Sequence, residues 1–386
     1  MTGMGTGGLR WVLAGGGTGG HVTPALALAE RLREAGEAVL FVGARRGMET
    51  RLVPEAGFEL VALDAQPLLG RSALGRLRSL AALGRATLEA RRVLRSFGAH
   101  VVISVGGYAA VPAALAARLS GVPLALLEAN AGAPGLANRA VARFAGRLFA
   151  GFEPAARHLG RGPGDPRVRV TGIPLRRALL AAFAGAGAPR EVEPPLRVFV
   201  FGGSQGARQI NDAWVALAPR LDPARIAIVH QTGEDDRERV AKAYASANVP
   251  AEVIAFEGDM AGRYRWADLV VCRAGALTVA ELGLAGRAAI LVPLAHVGGG
   301  EQVANARVLE ACGAARVLDG RGDVTEALAE LLEELLGDPK RLAEMGKRAA
   351  GTARSDAAER ILAECRELVG GGKAREAREA LGGRTG

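Results

Sequence analysis

Val271-Cys272-Arg273-Ala274-Gly275-Ala276-Leu277-Thr278-Val279-Ala280-Glu281 follows an apolar run that begins at Ala267. The two segments read as a buried strand, a turn at Gly275 and a helix from Ala276 onward. The opening residues Ala276, Leu277, Thr278, Val279 and Ala280 offer backbone chemistry rather than side-chain chemistry. A helix start has amides without carbonyl partners and the positive end of the helix dipole, which suits a phosphate. Glu281, about one and a half turns further on, can accept hydrogen bonds from two vicinal hydroxyls such as those of a ribose. The pattern then recurs: an apolar run at 288–293, a glycine-rich loop through Gly298-Gly299-Gly300, and a helix opened by Glu301 and Gln302, whose side chains can read sugar hydroxyls. Taken singly, each feature is also what an ordinary solvated helix start carries. Their order points to a nucleotide-sugar grip.

Working outward, the chain has 386 residues, enough for two domains of ordinary size. Hydrophobic residues make up 49%, so a large core is expected and disorder is confined to the ends. Cys272, Cys312 and Cys365 have no paired or metal-like spacing; they are expected to be buried thiols in a reducing compartment, with no metal site. The net charge of +9 attracts an anionic partner: nucleic acid, a membrane surface or a phosphorylated substrate. No apolar run approaches the roughly 20 residues of a spanning helix, and no secretory segment is read at the start.

Leu9 to Ala14 reads as a strand, Gly15-Gly16-Gly17-Thr18-Gly19-Gly20-His21 as a loop and 24–35 as a helix. Gly15, Gly17 and Gly20 satisfy G-x-G-x-x-G, which asks for an acid at the end of the next strand if the site is to hold NAD. That strand, Val39 to Val42, runs into Gly43-Ala44-Arg45-Arg46 instead. NAD is disfavoured, while the arginine pair leaves an NADP oxidoreductase open. His21 directly after the glycines can bind a diphosphate or take a proton; the plain alternative is a helix-start neighbour without chemistry.

Further along, 68–97 sets Arg71, Arg76, Arg78, Arg85, Arg91, Arg92 and Arg95 among leucines, which fits either a membrane-surface contact or a solvated basic helix face. Val101 to Val105 is a strand ending in Gly106-Gly107-Tyr108, and the strand 124–127 leads into Glu128-Ala129-Asn130. Val168 to Val170 precedes Thr171-Gly172-Ile173-Pro174-Leu175-Arg176, whose guanidinium suits a diphosphate. The plan restarts with the strand 196–201 and the loop Gly202-Gly203-Ser204-Gln205-Gly206-Ala207, where Ser204 can donate to a phosphate. Two such openings predict two doubly wound α/β domains: 9–183, a linker at 184–195, 196–368, and a flexible tail at 369–386.

Several of these segments resemble one family. Gly-Gly-Thr-Gly-Gly-His at 16–21, Glu128 and Asn130, Arg176, Gly-Gly-Ser-Gln-Gly-Ala at 202–207, Cys272 to Glu281, and Gln302 to Ala306 resemble, in order, the MurG family, the bacterial glycosyltransferases that make lipid II. Ala129, Ile173 and Glu301 depart from the family's usual residues.

The resemblance implies a GT-B fold, two Rossmann-like domains facing a central cleft. It further implies an inverting hexosyltransferase that moves N-acetylglucosamine from UDP-N-acetylglucosamine to the 4-hydroxyl of the undecaprenyl diphosphate-linked muramoyl-pentapeptide, lipid I. The first domain takes the acceptor, through Thr18, Gly19, Gly20, His21, Tyr108, Glu128 and Asn130. The second takes the donor, with Ser204 and the amides of Ala276, Leu277 and Thr278 at the diphosphate, Val279 and Ala280 in the same substrate-binding helix start, Glu281 at the ribose, Gln302 at the sugar and Glu257 near the base. Arg176 assists the leaving UDP. His21 and Glu128 are rival candidates for the base. No cofactor and no divalent metal are expected, the partners being the two substrates and an anionic membrane surface rather than nucleic acid, at the cytoplasmic face of the inner membrane. Alternatives are a transferase to another lipid, a UDP-sugar epimerase, the NADP oxidoreductase, and a non-enzymatic basic protein that binds nucleic acid or membrane.

Overall fold

The computed structural model describes residues 8–65, 73–162, 164–185, 192–203, 206–294 and 300–382, with the side chains of 73–78 and 372–382 excepted. Contacts divide the chain into two units, Met1–Arg177 with Ser355–Gly386, and Ala178–Arg354.

In the first unit, strands and helices alternate: β1 (Arg10–Gly15), α1 (Gly19–Glu34), β2 (Ala38–Ala44), α2 (Glu49–Glu55), β3 (Glu59–Leu63), α3 (Ala73–Phe97), β4 (Val101–Gly106), α4 (Ala110–Ser120), β5 (Leu124–Glu128), α5 (Leu136–Ala142), β6 (Arg147–Ala150), α6 (Glu153–Ala156) and β7 (Val168–Val170). All pairings are parallel, in the order β3-β2-β1-β4-β5-β6-β7. The strands read as continuous apolar runs because both faces are covered. One face packs under α3, α4 and α5, with Leu94, Ala113 and Val141 buried. The other packs under α1 and the last helix, with Leu28, Phe149 and Ile361 buried.

The second unit takes in most of α7 (Arg177–Phe183), which starts at the boundary, and continues with β8 (Leu196–Phe201), α8 (Arg208–Leu217), β9 (Ile226–Gln231), α9 (Arg237–Ser246), β10 (Ala251–Ile254), α10 (Met260–Trp266), β11 (Leu269–Cys272), α11 (Ala276–Ala285), β12 (Ala288–Leu291), α12 (Glu301–Ala311), β13 (Ala315–Val317), α13 (Thr325–Leu336) and α14 (Pro339–Ala350). Its parallel sheet runs β10-β9-β8-β11-β12-β13. The chain direction across each sheet reverses beside its first strand, between β1 and β4 and between β8 and β11. Open α/β sheets bind ligands at the carboxyl ends of strands at such a reversal.

Three expectations are corrected. Helix α1 begins at Gly19, not at residue 24, because Thr18 is extended (φ −124°, ψ 158°) and caps two glycines that take helical backbone, with Pro24 accommodated inside the helix. The second domain does not extend to 368. Its last helix, α15 (Ala357–Gly382), packs on the first unit, where Ala358, Ile361, Leu362, Cys365 and Val369 join the core and Glu364 receives Arg147 at 2.7 Å and Arg169 at 3.0 Å. The same helix runs through most of the expected tail. Of the expected linker, 186–191 lie outside the described residues. Cys272 and Cys365 are buried and Cys312 half-buried.

Candidate active site

In the first unit the glycine turns after β1 and β4 interlock. Gly107 has φ +82°, and a Cβ there would stand 2.5 Å from the Gly16 carbonyl oxygen, so no larger residue fits. Gly106, at φ +97°, would carry a Cβ 3.1 Å from His21 Nε2 and 3.2 Å from Asn138 Nδ2. These glycines let the imidazole lie against the end of β4. His21 is the third residue of α1; its Nδ1 is 3.2 Å from Thr18 Oγ1, which fixes the ring and leaves Nε2 toward the turn of Gly106. Burial pushes the His21 pKa below 6.5, partly offset by the carboxylate of Glu128, the Gly16 backbone and the carboxylate of Glu49. The imidazole is therefore neutral at pH 7 and able to accept a proton.

Glu128 ends β5 and is buried. Its Oε1 accepts from the Asn130 backbone at 3.0 Å and the Asn130 amide at 3.3 Å, while Oε2 accepts from Asn138 Nδ2 at 2.7 Å. With both oxygens held, Glu128 organises the turn more readily than it takes a substrate proton. Asn138, on α5, was not singled out from sequence, since one asparagine within an alanine-rich helix carries no signal there. Its Oδ1 is buried with no hydrogen-bond partner among the described residues. Glu49 was likewise missed; it accepts from Gly17 N–H at 2.7 Å. The Tyr108 hydroxyl reaches the Arg46 carbonyl at 3.4 Å.

Arg176 sits apart from this group. It pairs with Glu30 (Nε to Oε1, 2.6 Å), nine residues along α1 from His21, or about 13 Å at the helical rise. One edge of its guanidinium is thus engaged within the first unit.

In the second unit, α11 starts at Ala276 after Gly275 (φ −62°, ψ 145°). Val279 N–H bonds the Gly275 carbonyl at 3.0 Å, so the amides of Ala276, Leu277 and Thr278 precede the first helical carbonyl and have no partner within the helix. Leu277 and Thr278 are half-exposed. Behind them, Asn305 Nδ2 donates to the Ala274 carbonyl at 3.1 Å and Arg273 donates to the Val292 carbonyl at 2.9 Å, tying the turn to β12 and α12. Glu281 is partly buried, and the buried Tyr264 donates to its Oε2 at 2.9 Å. Burial pushes the Glu281 pKa up to about 7.

Gln302 lies in the first turn of α12, and its Oε1 accepts from Leu294 N–H at 3.0 Å, so the amide is oriented with its oxygen on the backbone. Glu257 is folded into its own loop, accepting from Asp259 N–H and from Arg263, so only backbone remains for a base contact. Ser204, in the glycine turn after β8, and the loop 295–299 lie outside the described residues.

Large exposed hydrophobic side chains concentrate in the first unit. Leu80 and Leu88 on α3, Leu119 after α4's Arg118, Leu136 on α5 and Phe144 are 44–62% exposed, all in the layer that covers one face of that sheet. Exposed Arg85, Arg92, Arg95, Arg118, Arg139 and Arg143 lie among them. No helix among the described residues is long and apolar enough to cross a membrane.

Two domain families match in order: the glycosyltransferase family 28 N-terminal domain over residues 11–150 and its C-terminal domain over 197–361. A relative from Acidithiobacillus ferrooxidans (strain ATCC 53993 / BNL-5-31) is 45% identical over 93% of this chain and 98% of its own. Its name is UDP-N-acetylglucosamine--N-acetylmuramyl-(pentapeptide) pyrophosphoryl-undecaprenol N-acetylglucosamine transferase. One of the same name from Syntrophotalea carbinolica is 43% identical over 94% of this chain and 99% of its own. The chain belongs to the MurG family. The crystal structure of Acinetobacter baumannii MurG has a TM-score of 0.77 and 30% identity, covering 93% of this chain and 99% of that one. A UDP-GlcNAc 2-epimerase from Neisseria meningitidis shares the fold at a TM-score of 0.64 and 16% identity, over 92% of this chain and 98% of that one, which carries no inference about activity. MurG membership makes the chain an α/β glycosyltransferase of GT-B type, and it removes the NADP oxidoreductase and non-enzymatic alternatives.

Proposed function

We infer that the protein transfers N-acetylglucosamine from UDP-N-acetylglucosamine to the 4-hydroxyl of lipid I, forming lipid II with inversion at the anomeric carbon. The observation that carries this is the start of α11: amides without helical partners above a carboxyl that is held by Tyr264 and suited to a ribose. That is a donor grip for a nucleoside diphosphate.

Inversion is a single in-line displacement. The acceptor oxygen bonds to the anomeric carbon as the bond to the UDP oxygen breaks, and the hydroxyl proton passes to a base. His21 fits the base better than Glu128, because its ring is neutral, whereas both Glu128 oxygens accept hydrogen bonds. The charge building on UDP is met by the amides of Ala276, Leu277 and Thr278, with Ser204 and Arg176 assisting. Gln302 offers its NH2 to the sugar hydroxyls, and the amides of Gly19 and Gly20 meet the acceptor diphosphate.

The exposed leucines and Phe144, set among arginines, suit the acidic cytoplasmic surface of the inner membrane, where the acceptor's lipid tail is anchored. The basic charge is spread without interleaved aromatics, which disfavours nucleic acid.

The test is thermal stabilisation by UDP-N-acetylglucosamine, UDP-glucose, UDP-N-acetylgalactosamine and NADPH, followed by radiolabel transfer to a lipid I analogue. Stabilisation by the first compound with label appearing in lipid is expected. Epimerised sugar without transfer, or stabilisation by NADPH alone, overturns the inference.

A further inference from the structure

Glu49 is a buried titratable group at the acceptor-side glycine turn that neither proton transfer nor substrate contact uses. It is the first residue of α2 and is 1% exposed. Each carboxylate oxygen accepts a separate backbone bond, Oε2 from Gly17 N–H at 2.7 Å and Oε1 from Ala44 N–H at 3.0 Å. Three glycines make the space it fills. A Cβ at Gly16 would stand 2.1 Å from its Oε1, one at Gly47 2.3 Å from its Oε2, and one at Gly43 2.8 Å from its Cγ. No arginine or lysine pairs with it among the described residues, so its role is not that of an ion-pair partner.

We propose that Glu49 is a positioning residue for the transfer: its carboxylate ties the first glycine turn to the end of β2 and thereby sets where Thr18 and His21 stand. The proposal rests on the reading of His21 as an acceptor-side group. Consecutive glycines have the least intrinsic preference for one backbone conformation, so a turn built of Gly15, Gly16 and Gly17 needs an external tie to hold an imidazole in place. Drawing Gly17 N–H inward also withholds it from the acceptor and leaves anion binding to Gly19 and Gly20. A glutamine cannot replace the carboxylate, since its NH2 would face one of the two N–H donors.

The test uses the full chain and two substitutions. Glu49→Gln removes one acceptor and the charge; Gly43→Ala keeps the carboxylate but places a methyl against its Cγ. Three quantities are read: the pH titration of the His21 imidazole by NMR, kcat with varied acceptor, and affinity for UDP-N-acetylglucosamine. The charged groups facing His21 are Glu128 from the end of β5 and Glu49 from α2. In Glu49→Gln the imidazole midpoint moves to lower pH, kcat falls about a hundredfold, and donor affinity stays within about twofold. Gly43→Ala lowers kcat in the same direction, also at unchanged donor affinity. Wild-type kcat or an unmoved His21 titration in Glu49→Gln overturns the proposal, as does a parallel loss of donor affinity, which marks general unfolding. If the unaltered chain transfers no sugar, the inferred reaction fails, and the His21 titration still tests the tie by itself.

Discussion

Tyr264 donates a hydrogen bond to Glu281 Oε2 across 2.9 Å, so the carboxyl suited to a ribose is held by a buried phenol from the neighbouring helix. Burial pushes this carboxyl up to about 7, from 4.5. The raised value means that the folded chain binds a proton that the unfolded chain has already lost. The cost of the charged form is therefore absent below about 4.5, grows as pH rises and is complete above about 7. The ribose contact has the opposite dependence, because the carboxylate accepts two hydroxyls and the acid donates. UDP affinity is expected to rise about tenfold as pH increases through 7. Calorimetric titration should show this rise and its loss in Glu281→Gln; an unchanged profile in that variant would remove the ribose role.

Tyr264→Phe keeps the ring in the core and removes one donor to Glu281. It is expected to cost about 1 kcal/mol of stability and to weaken UDP, since the carboxyl loses its orientation. Urea midpoints and UDP titration measure the two effects separately.

His21→Ala is expected to abolish turnover while donor affinity is retained. In the unaltered chain the lowered imidazole pKa places the acid limb of kcat/KM below the ordinary 6.5. The ring is unprotonated and active above the limb, and protonated and inactive below it. A pH profile with its limb above 6.5, or normal turnover by the variant, would exclude His21 as the base.

Asn138→Ala withdraws the 2.7 Å donor from Glu128 Oε2 and is expected to destabilise the first unit by about 1–3 kcal/mol. Turnover should fall with it, because Asn138 and His21 flank the same glycine of β4. Chemical denaturation and acceptor kinetics check the two parts.

Ile361 is fully buried in the core beneath α15. Ile361→Ala is expected to cost about 2–5 kcal/mol, as large as a change within the strands themselves, because α15 is a layer of the first unit. An equal urea midpoint for variant and wild type would mean that the helix is not part of that core.

Leu88→Ser, at an exposed position, should leave the melting temperature near that of wild type and weaken binding to vesicles that contain anionic lipid. Flotation with neutral and anionic vesicles separates the apolar contribution from that of the neighbouring arginines.

The start of α11 was legible from sequence because its chemistry is local. Gly275 followed by an apolar helix places bare amides at a strand end, and Glu281 and Gln302 follow at short, regular spacing. The turns after β1 and β4 were legible only as far as their glycines and His21. Glu49 and Asn138 come from α2 and α5, and nothing in their local sequence marks them, since an acid opening a helix is usually a dipole partner. Arg176 was legible as a guanidinium following a strand, and packing against α1 adds its ion pair with Glu30.

The amino-acid sequence by itself determined the two strand, glycine turn, helix openings, the alternation that makes parallel sheets, and the family, because these depend on residue type and short spacing. Tertiary structure alone decided that α15 completes the first unit, that Glu49 fills the gap left by three glycines, and that Glu128 is spent on Asn130 and Asn138. The first is a contact between segments distant in the chain, the second a fold around missing side chains, and the third needs α5 to set Asn138 against the end of β5. Local propensity carries no record of which partner will fill such a space.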